Sequence, residues 1–128
     1  GARASQQWTG AMAHIEFIDQ TLRDGTQSLW GMRMRAYQAT PALPHLNRTG
    51  FRVIDLTGAT FFVVMLRESG DDPWAALDHL VAGTPDIVHR AGMRPVAAGS
   101  FGFVPDSMLD LWVETLVKHG IQTHWLFD

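Results

Sequence analysis

The sequence predicts an α/β domain built on parallel strands, and three observations carry that expectation. Short apolar runs recur at residues 14–19, 51–56, 94–98 and 121–127, and the first three lead into turns rich in glycine, threonine or charge. Helix-length segments separate them, opened by proline at Thr40-Pro41, Pro73 and Pro105-Asp106, and closed by glycine. The resulting order β, α, β, α, β, α, β calls for right-handed crossovers, which bring the carboxyl ends of the strands to one rim, where ligands bind in folds of this class.

Taken in order, strand one is expected over residues 14–19, with Ile15, Phe17 and Ile18 as its apolar positions. Leu29, Trp30, Met32 and Met34 then supply an apolar patch, read as packing, with a pocket wall at Trp30 and Met32 as the alternative. The first helix is centred on residues 42–46, Thr40 being its cap and Pro41 its first residue; Pro44 still falls within the first turn, where proline is tolerated. Strand two spans 51–56 and reaches Asp55 before a Thr57-Gly58-Ala59-Thr60 turn. Residues 61–66 fit either a helical turn or more strand, because so short an apolar run has no decisive period. Pro73 begins the second helix, in which Trp74, Leu77, Leu80 and Val81 recur at helical spacing. After Gly83-Thr84-Pro85, residues 85–91 are expected to add two helical turns, with Ile87 and Val88 inward and Gly92 as the stop. Strand three follows at 94–98, with Gly99-Ser100-Phe101-Gly102 as its exit. The third helix starts at Pro105-Asp106, presents Met108, Leu111, Trp112, Thr115 and Leu116 on one face, and closes at His119-Gly120, leaving 121–127 as strand four.

The composition narrows the function. In 128 residues, 46% are hydrophobic and 18% charged, enough for one globular domain. A net charge of −3 with no basic run argues against a nucleic-acid surface and against docking on anionic lipid. The absence of cysteine removes disulfides, thiolate metal ligands and cysteine nucleophiles. No apolar run is long enough to cross a bilayer, and residues 1–13 lack the apolar core of a signal peptide, so they are read as a leader, linker or tag and the domain as 14–128, with a cytoplasmic setting expected. Ser28 and Ser100 have no histidine and acid in supporting order, and no phosphate-cradling glycine loop is present.

The most informative stretch is residues 17–28, where an apolar strand runs into Gln20-Thr21-Leu22-Arg23-Asp24-Gly25-Thr26-Gln27. Opposite charges and an amide delivered to the mouth of a core are seldom left without partners or a ligand. Asp24 can offer oxygen to a hard cation, Arg23 can grip an anionic oxygen with two prongs, and Gln27 can donate and accept. Together they suit an oxyanion beside a metal. The competing reading is a turn in which Asp24 caps the next helical segment and pairs with Arg23.

Residues 19–29 resemble the first-strand signature of the carboxyltransferase domain family of pyruvate carboxylase and oxaloacetate decarboxylase, with hydroxymethylglutaryl-CoA lyase more distant. Gly58-Ala59-Thr60-Phe61 with Met65, Asp72-Pro73-Trp74, and Trp125-Leu126-Phe127-Asp128 agree in order and rough spacing. The resemblance runs from about His14 to Asp128. It implies the N-terminal half of a (β/α)8 TIM barrel, four of whose parallel strands lie in this chain, since a whole barrel needs roughly 250 residues. It further implies a divalent metal of the Zn, Mn or Co type at the strand ends, with Asp24 matching the metal-ligating aspartate. Arg23 then matches the arginine that holds substrate oxygen, and Gln27 the glutamine that contacts a 2-oxo acid.

That resemblance makes the expected function a metal-dependent carboxyltransferase-like or lyase-like reaction through the enolate of a 2-oxo acid or acyl thioester. Three departures are expected to alter the substrate clamp: Phe62 where the family has an aspartate, Ala97-Ala98-Gly99 where it has an arginine closing strand three, and Phe103 where it has a tyrosine. They predict a more apolar pocket and poor transfer of a carboxyl group from biotin to pyruvate. Within enzymes the alternative is an aldolase or acyl-CoA lyase working without biotin, and outside them a non-catalytic half-barrel scaffold. The resemblance implies that the remaining metal ligands, two histidines and a modified lysine, lie on later strands, and the six histidines of this chain form no His-x-His pair. Expected partners are the small-molecule substrate and the rest of the barrel or another protein chain, with homo-oligomers as the expected state.

Overall fold

A computed structural model describes residues 14–96 and 102–127. The expected leader, residues 1–13, and the expected Ala97-Ala98-Gly99 clamp position lie outside them. Among the described residues one sheet forms, with strands β1 (Ile18–Asp19), β2 (Val53–Gly58), β3 (Val88–Met93) and β4 (Thr123–Leu126). All neighbours are parallel and the order in space is the order in the chain, β1-β2-β3-β4. The α/β class and the four parallel strands are those expected from the sequence.

The strands are set by which residues must be buried. In β2 the run Ile54-Asp55-Leu56-Thr57 is buried on both faces, as befits a central parallel strand covered by helices. It continues through Thr57 and Gly58, which the sequence suggested as a turn, because Gly58 still pairs with Gly92 of β3. By contrast β1 is only two residues long, and Ile15 and Phe17, expected to be buried, stand 73% and 71% exposed beside it. They flank a sheet edge with no neighbouring strand among the described residues.

The largest correction concerns β3. Residues 85–91 were expected to be helical and the strand to begin at Arg94, yet the strand occupies Val88–Met93. The reading failed because His89 and Arg90 break the apolar pattern, and both are neutralised by partners rather than by solvent. His89 Nε2 lies 2.9 Å from Thr84 Oγ1, and Arg90 is paired with Asp55. Pairing with β2 on one side and β4 on the other then satisfies the backbone groups of this segment.

Helices cover the sheet. A π-helical turn, Thr21–Gly25, follows β1 and leads into α1 (Thr26–Trp30). Two short helices come next, α2 (Ala36–Ala39) and α3 (Leu43–Asn47). Thr40, expected to cap the first helix, instead ends α2, and its hydroxyl lies 2.9 Å from His79 Nε2. Residues 61–66, which fit either helix or strand, are helical: α4 (Ala59–Val64) takes in Ala59 and Thr60 of the expected turn as well, and a π-helical turn follows at Met65–Ser69.

α5 (Pro73–Gly83) starts as expected. Pro73 occupies the first turn, and the Asp72 carboxylate accepts hydrogen bonds from the amides of Trp74 (2.9 Å) and Ala75 (3.4 Å). α6 (Asp106–Lys118) also starts where expected, but its inward stripe differs. Leu116 is fully buried and Leu109, Trp112 and Val113 are half-buried, whereas Met108 and Leu111 stand 50% and 56% exposed. The core gathers Ile54, Leu56 and Ala91 of the sheet with Leu43, Phe62, Leu77, Leu80 and Leu116 of the helices.

Candidate active site at the strand ends

The carboxyl ends of the four strands converge on a cavity of about 230 Å³. Its polar wall is Arg23, Gln27, Thr60 and Arg94, and its aromatic wall includes Trp125 and Phe127. Each side chain arrives there because a strand has just ended. Arg23 and Gln27 come from the turn and helix after β1, Thr60 from the first turn of α4, and Arg94 from the residue after β3.

Arg23 is held by a network that runs from the surface to the buried Asp55. Its Nε donates to Gln20 Oε1 at 3.0 Å, its Nη1 donates to Gln27 Oε1 at 3.4 Å, and Nε stands 3.5 Å from Asp55 Oδ2. Gln20 passes the arrangement on, since its Nε2 donates to the same Asp55 oxygen at 2.5 Å. Asp55 is fully buried, and its second partner is Arg90, whose Nε and Nη2 donate at 2.5 and 2.9 Å. Those hydrogen bonds hold the Arg90 guanidinium above its usual range, with burial opposing them and the Asp55 charge assisting. One carboxylate thus faces two guanidiniums. With Arg94 on the same wall, the cavity presents guanidinium donors, whose planar fork matches the oxygens of an anionic ligand.

Asp24 lies at the same rim but is not one of the cavity-lining residues. Its side chain is 58% exposed, and its nearest cationic neighbour is Arg23 Nη2 at 3.7 Å. No cluster of three or more His, Cys, Asp or Glu among the described residues is arranged to hold a metal ion. A carboxylate alone is one donor of the six or so that a hard divalent cation takes, so these residues do not by themselves make the implied metal site.

The expected departures fare differently. Phe62 points away from the cavity into the helix layer, where its ring meets Trp74 (4.6 Å) and Trp112 (4.7 Å) edge to face. Phe103 is 86% exposed and lines no part of the cavity. Strand three ends at Met93, so the side chain that follows it is Arg94, not the Ala97-Ala98-Gly99 segment. The Trp30 and Met32 wall is not at this site either.

Sequence reasoning missed Gln20, Asp55, Arg90 and Arg94 as members of this site. A signal was present: Asp55 and Arg90 each interrupt an apolar strand, and a charge in such a place requires a partner. A wider, apolar groove of about 820 Å³ opens on the outer side between α4, α5 and α6. The carboxylates on its rim are engaged, Asp72 as the helix cap and Asp71 with Arg35 at 3.6 Å.

A rim of parallel strand ends around an arginine-lined cavity defines the class, an α/β domain with its candidate site at the strand ends. Known proteins narrow it. No family model matches the chain. A pyruvate carboxylase subunit of Methanothermobacter thermautotrophicus is 28% identical over 120 residues, covering 91% of this chain and 21% of that protein. The 2-oxoglutarate carboxylase large subunit of Hydrogenobacter thermophilus is 26% identical over 119 residues, covering 93% and 18%. The solved carboxyl transferase domain of Rhizobium etli pyruvate carboxylase with oxamate and biotin superposes with a TM-score of 0.82 at 27% identity, covering 90% of this chain and 20% of that one. The chain is a homologue of the pyruvate carboxylase carboxyltransferase domain, and its four strands and helices match half of that domain's TIM barrel. It spans about a fifth of the length of these relatives.

Proposed function

We propose that this chain supplies one half of a carboxyltransferase-type site that binds a 2-oxo acid and stabilises its enolate. The observation that carries the reading is the convergence of Arg23, Gln27 and Arg94 on one strand-end cavity. Arg94 takes the part of the arginine that grips the substrate carboxylate, a planar fork matched to two oxygens. Arg23 has Nε and Nη1 engaged by Gln20 and Gln27, and its Nη2 edge, 3.7 Å from the exposed Asp24 carboxylate, is the one proposed to meet the keto oxygen. As that oxygen gains charge in the enolate, a fixed guanidinium stabilises it more than the keto precursor, and the difference lowers the barrier. Gln27 lines the same cavity and accepts from Arg23, so it orients the guanidinium toward the substrate.

Asp24 is proposed as one ligand of a divalent cation whose other ligands come from outside the described residues. Biotin is proposed as the carboxyl carrier, on the strength of the Rhizobium etli domain that is known with oxamate and biotin. With Phe62 and Phe103 away from the cavity, the ground for poor transfer to pyruvate is reduced to residues outside the described ones. The open flanks of β1 and β4, beside exposed Ile15, Phe17, Leu126 and Phe127, are proposed to meet further strands or another chain.

The test is biotin-dependent carboxylation of pyruvate by the full-length protein, compared with its Arg23→Ala and Arg94→Ala variants. Turnover in the parent and a loss of at least about a hundredfold in each variant is expected, in line with removal of a charge-stabilising donor. A parent with no turnover on pyruvate or 2-oxoglutarate overturns the reading.

A further inference from the structure

Gln20 is the first residue beyond β1, and both its backbone and its side chain fix the turn that carries Arg23. Its carbonyl oxygen accepts a hydrogen bond from the amide of Gly25 at 3.0 Å, which closes the wide π-helical turn Thr21–Gly25. Its side-chain amide lies between two ionised groups. Nε2 donates to Asp55 Oδ2 at 2.5 Å, and Oε1 accepts from Arg23 Nε at 3.0 Å. Only one orientation of the amide serves both, because a flipped amide would set its oxygen against the carboxylate and its N–H donors against the guanidinium.

The anchor behind Gln20 is fixed. Asp55 is fully buried, and Arg90 grips both of its oxygens, Oδ1 through Nε and Oδ2 through Nη2. The other holds on Arg23 are looser. Its Nη1 bond to Gln27 is 3.4 Å long and exposed, and Gln27 stands only four residues further along the same stretch of chain. Asp24 is 3.7 Å from Nη2 and more than half exposed. Asp55 Oδ2 is 3.5 Å from Arg23 Nε, so the hydrogen bond of that nitrogen goes to the amide in between. The Trp125 ring covers the guanidinium, 5.1 Å from Cζ, but a ring face attracts a cation without dictating which N–H points where. The hydrogen bond to Gln20 is therefore the one that ties the direction of Arg23 to the frame of β2 and β3.

We propose that Gln20 is a positioning residue: it passes the fixed orientation of the Asp55–Arg90 pair to Arg23, and so holds the Nη2 edge where charge develops on a bound 2-oxo acid. The inference rests on the 2-oxo acid reading above. Without the amide, Arg23 Nε is free to close on Asp55, and the guanidinium turns inward from the cavity. A donor aimed in advance needs no reorganisation as the charge forms, and its value to an enolate lies there. Gln20 is not among the residues that line the cavity, so it acts through Arg23.

The experiment titrates the full-length protein with oxamate and with oxalate by calorimetry, and needs no turnover. The two share one carboxylate; on the second carbon oxamate offers a neutral amide and oxalate a charged oxygen, as an enolate does. Their affinity ratio therefore reads how well that charge is met. Gln20→Met keeps the length of the side chain and removes both hydrogen bonds, and oxalate should weaken roughly three- to tenfold more than oxamate, the scale of a hydrogen bond to a charged group. Gln20→Glu keeps an acceptor for Arg23 but loses the donor to Asp55, and should lower the ratio in the same direction. Thermal unfolding of each variant is followed alongside. A merely structural role would lower stability and weaken both ligands alike, so a ratio within about twofold of the parent's, or above it, overturns the positioning role and leaves the 2-oxo acid reading intact. If both variants fail to fold, the tie is structural and the inference falls as well. If neither ligand binds the parent, both readings fall together.

Discussion

Asp55 and Arg90 occupy paired positions on neighbouring strands, and the guanidinium meets the carboxylate through Nε and Nη2 at 2.5 and 2.9 Å. The carboxylate has no exposure to solvent. Arg90→Met removes its two-pronged partner and leaves a buried charge held only by Gln20 and Arg23. Such a loss typically costs about 3–5 kcal/mol, and denaturant unfolding should show it. Asp55→Leu with Arg90→Met should recover most of that cost, since a buried pair replaced by apolar residues is often neutral. An Arg90→Met protein as stable as the parent would mean that the pair does not hold β2 to β3.

Gly92→Ala should strain the sheet at the same level. Its Cβ would come within 2.8 Å of the rigid indole of Trp125. Overpacking of this kind costs about 1–3 kcal/mol. Trp125→Leu in the same chain should restore part of the loss, and a double variant no more stable than Gly92→Ala would show that the clash is not with the indole.

The helix start at Asp72 gives a simpler check. Asp72→Ala leaves the amides of Trp74 and Ala75 without their side-chain acceptor and should cost about 1 kcal/mol. Asp72→Asn, which caps nearly as well, should stay close to the parent in thermal unfolding.

Stability should fall on mild acidification. Burial pushes His89 below its ordinary value of 6.5, outweighing its backbone hydrogen bonds to Thr84 and Gly120, and burial lowers His124 in the same direction. The unfolded chain therefore binds more protons than the folded one once pH drops below about 6.5, so the contribution is complete above that pH and is lost as pH falls through the depressed folded values. Urea unfolding at pH 7.5 and 5.5 should show the loss, and His89→Gln should reduce it. An unchanged pH dependence in that variant would mean that other groups carry the effect.

Asp24→Asn separates the two roles open to this residue. Its side chain is more than half exposed, so unfolding of the full-length protein should barely change. Its content of bound divalent metal, by elemental analysis, should fall steeply if Asp24 is a ligand, because a charged oxygen donor is lost with little change of shape. Full metal content in the variant would exclude Asp24 from the ligand set.

How much of this could be read from residues alone depended on how each residue is neutralised. Pro73 and Asp72 announced α5 because capping is local chemistry, settled within one turn. The place of Arg23 and Gln27 at the strand-end rim was legible because they follow an apolar strand directly. β3 was misplaced because the charge of Arg90 is cancelled by Asp55, 35 residues away, and local pattern does not report so distant a partner. Once β3 was shifted, the residue at its end was misjudged and Arg94 was passed over. The stripe of α6 was misread because Leu109, Trp112, Val113 and Leu116 and the more exposed Met108 and Leu111 are comparably apolar, and only packing distinguishes the two sets.

Because the order of the four strands among the described residues repeats their order in the chain, none of these four has to be inserted between two that are already paired. Each new strand and its helix can dock on the margin left by the one before, so the sheet can grow in the direction of synthesis while the ribosome is still extending the chain. The polar half of the cavity, from Arg23 to Arg94, is then laid down before Trp125 and Phe127 emerge, and the two rings close over arginines already in place.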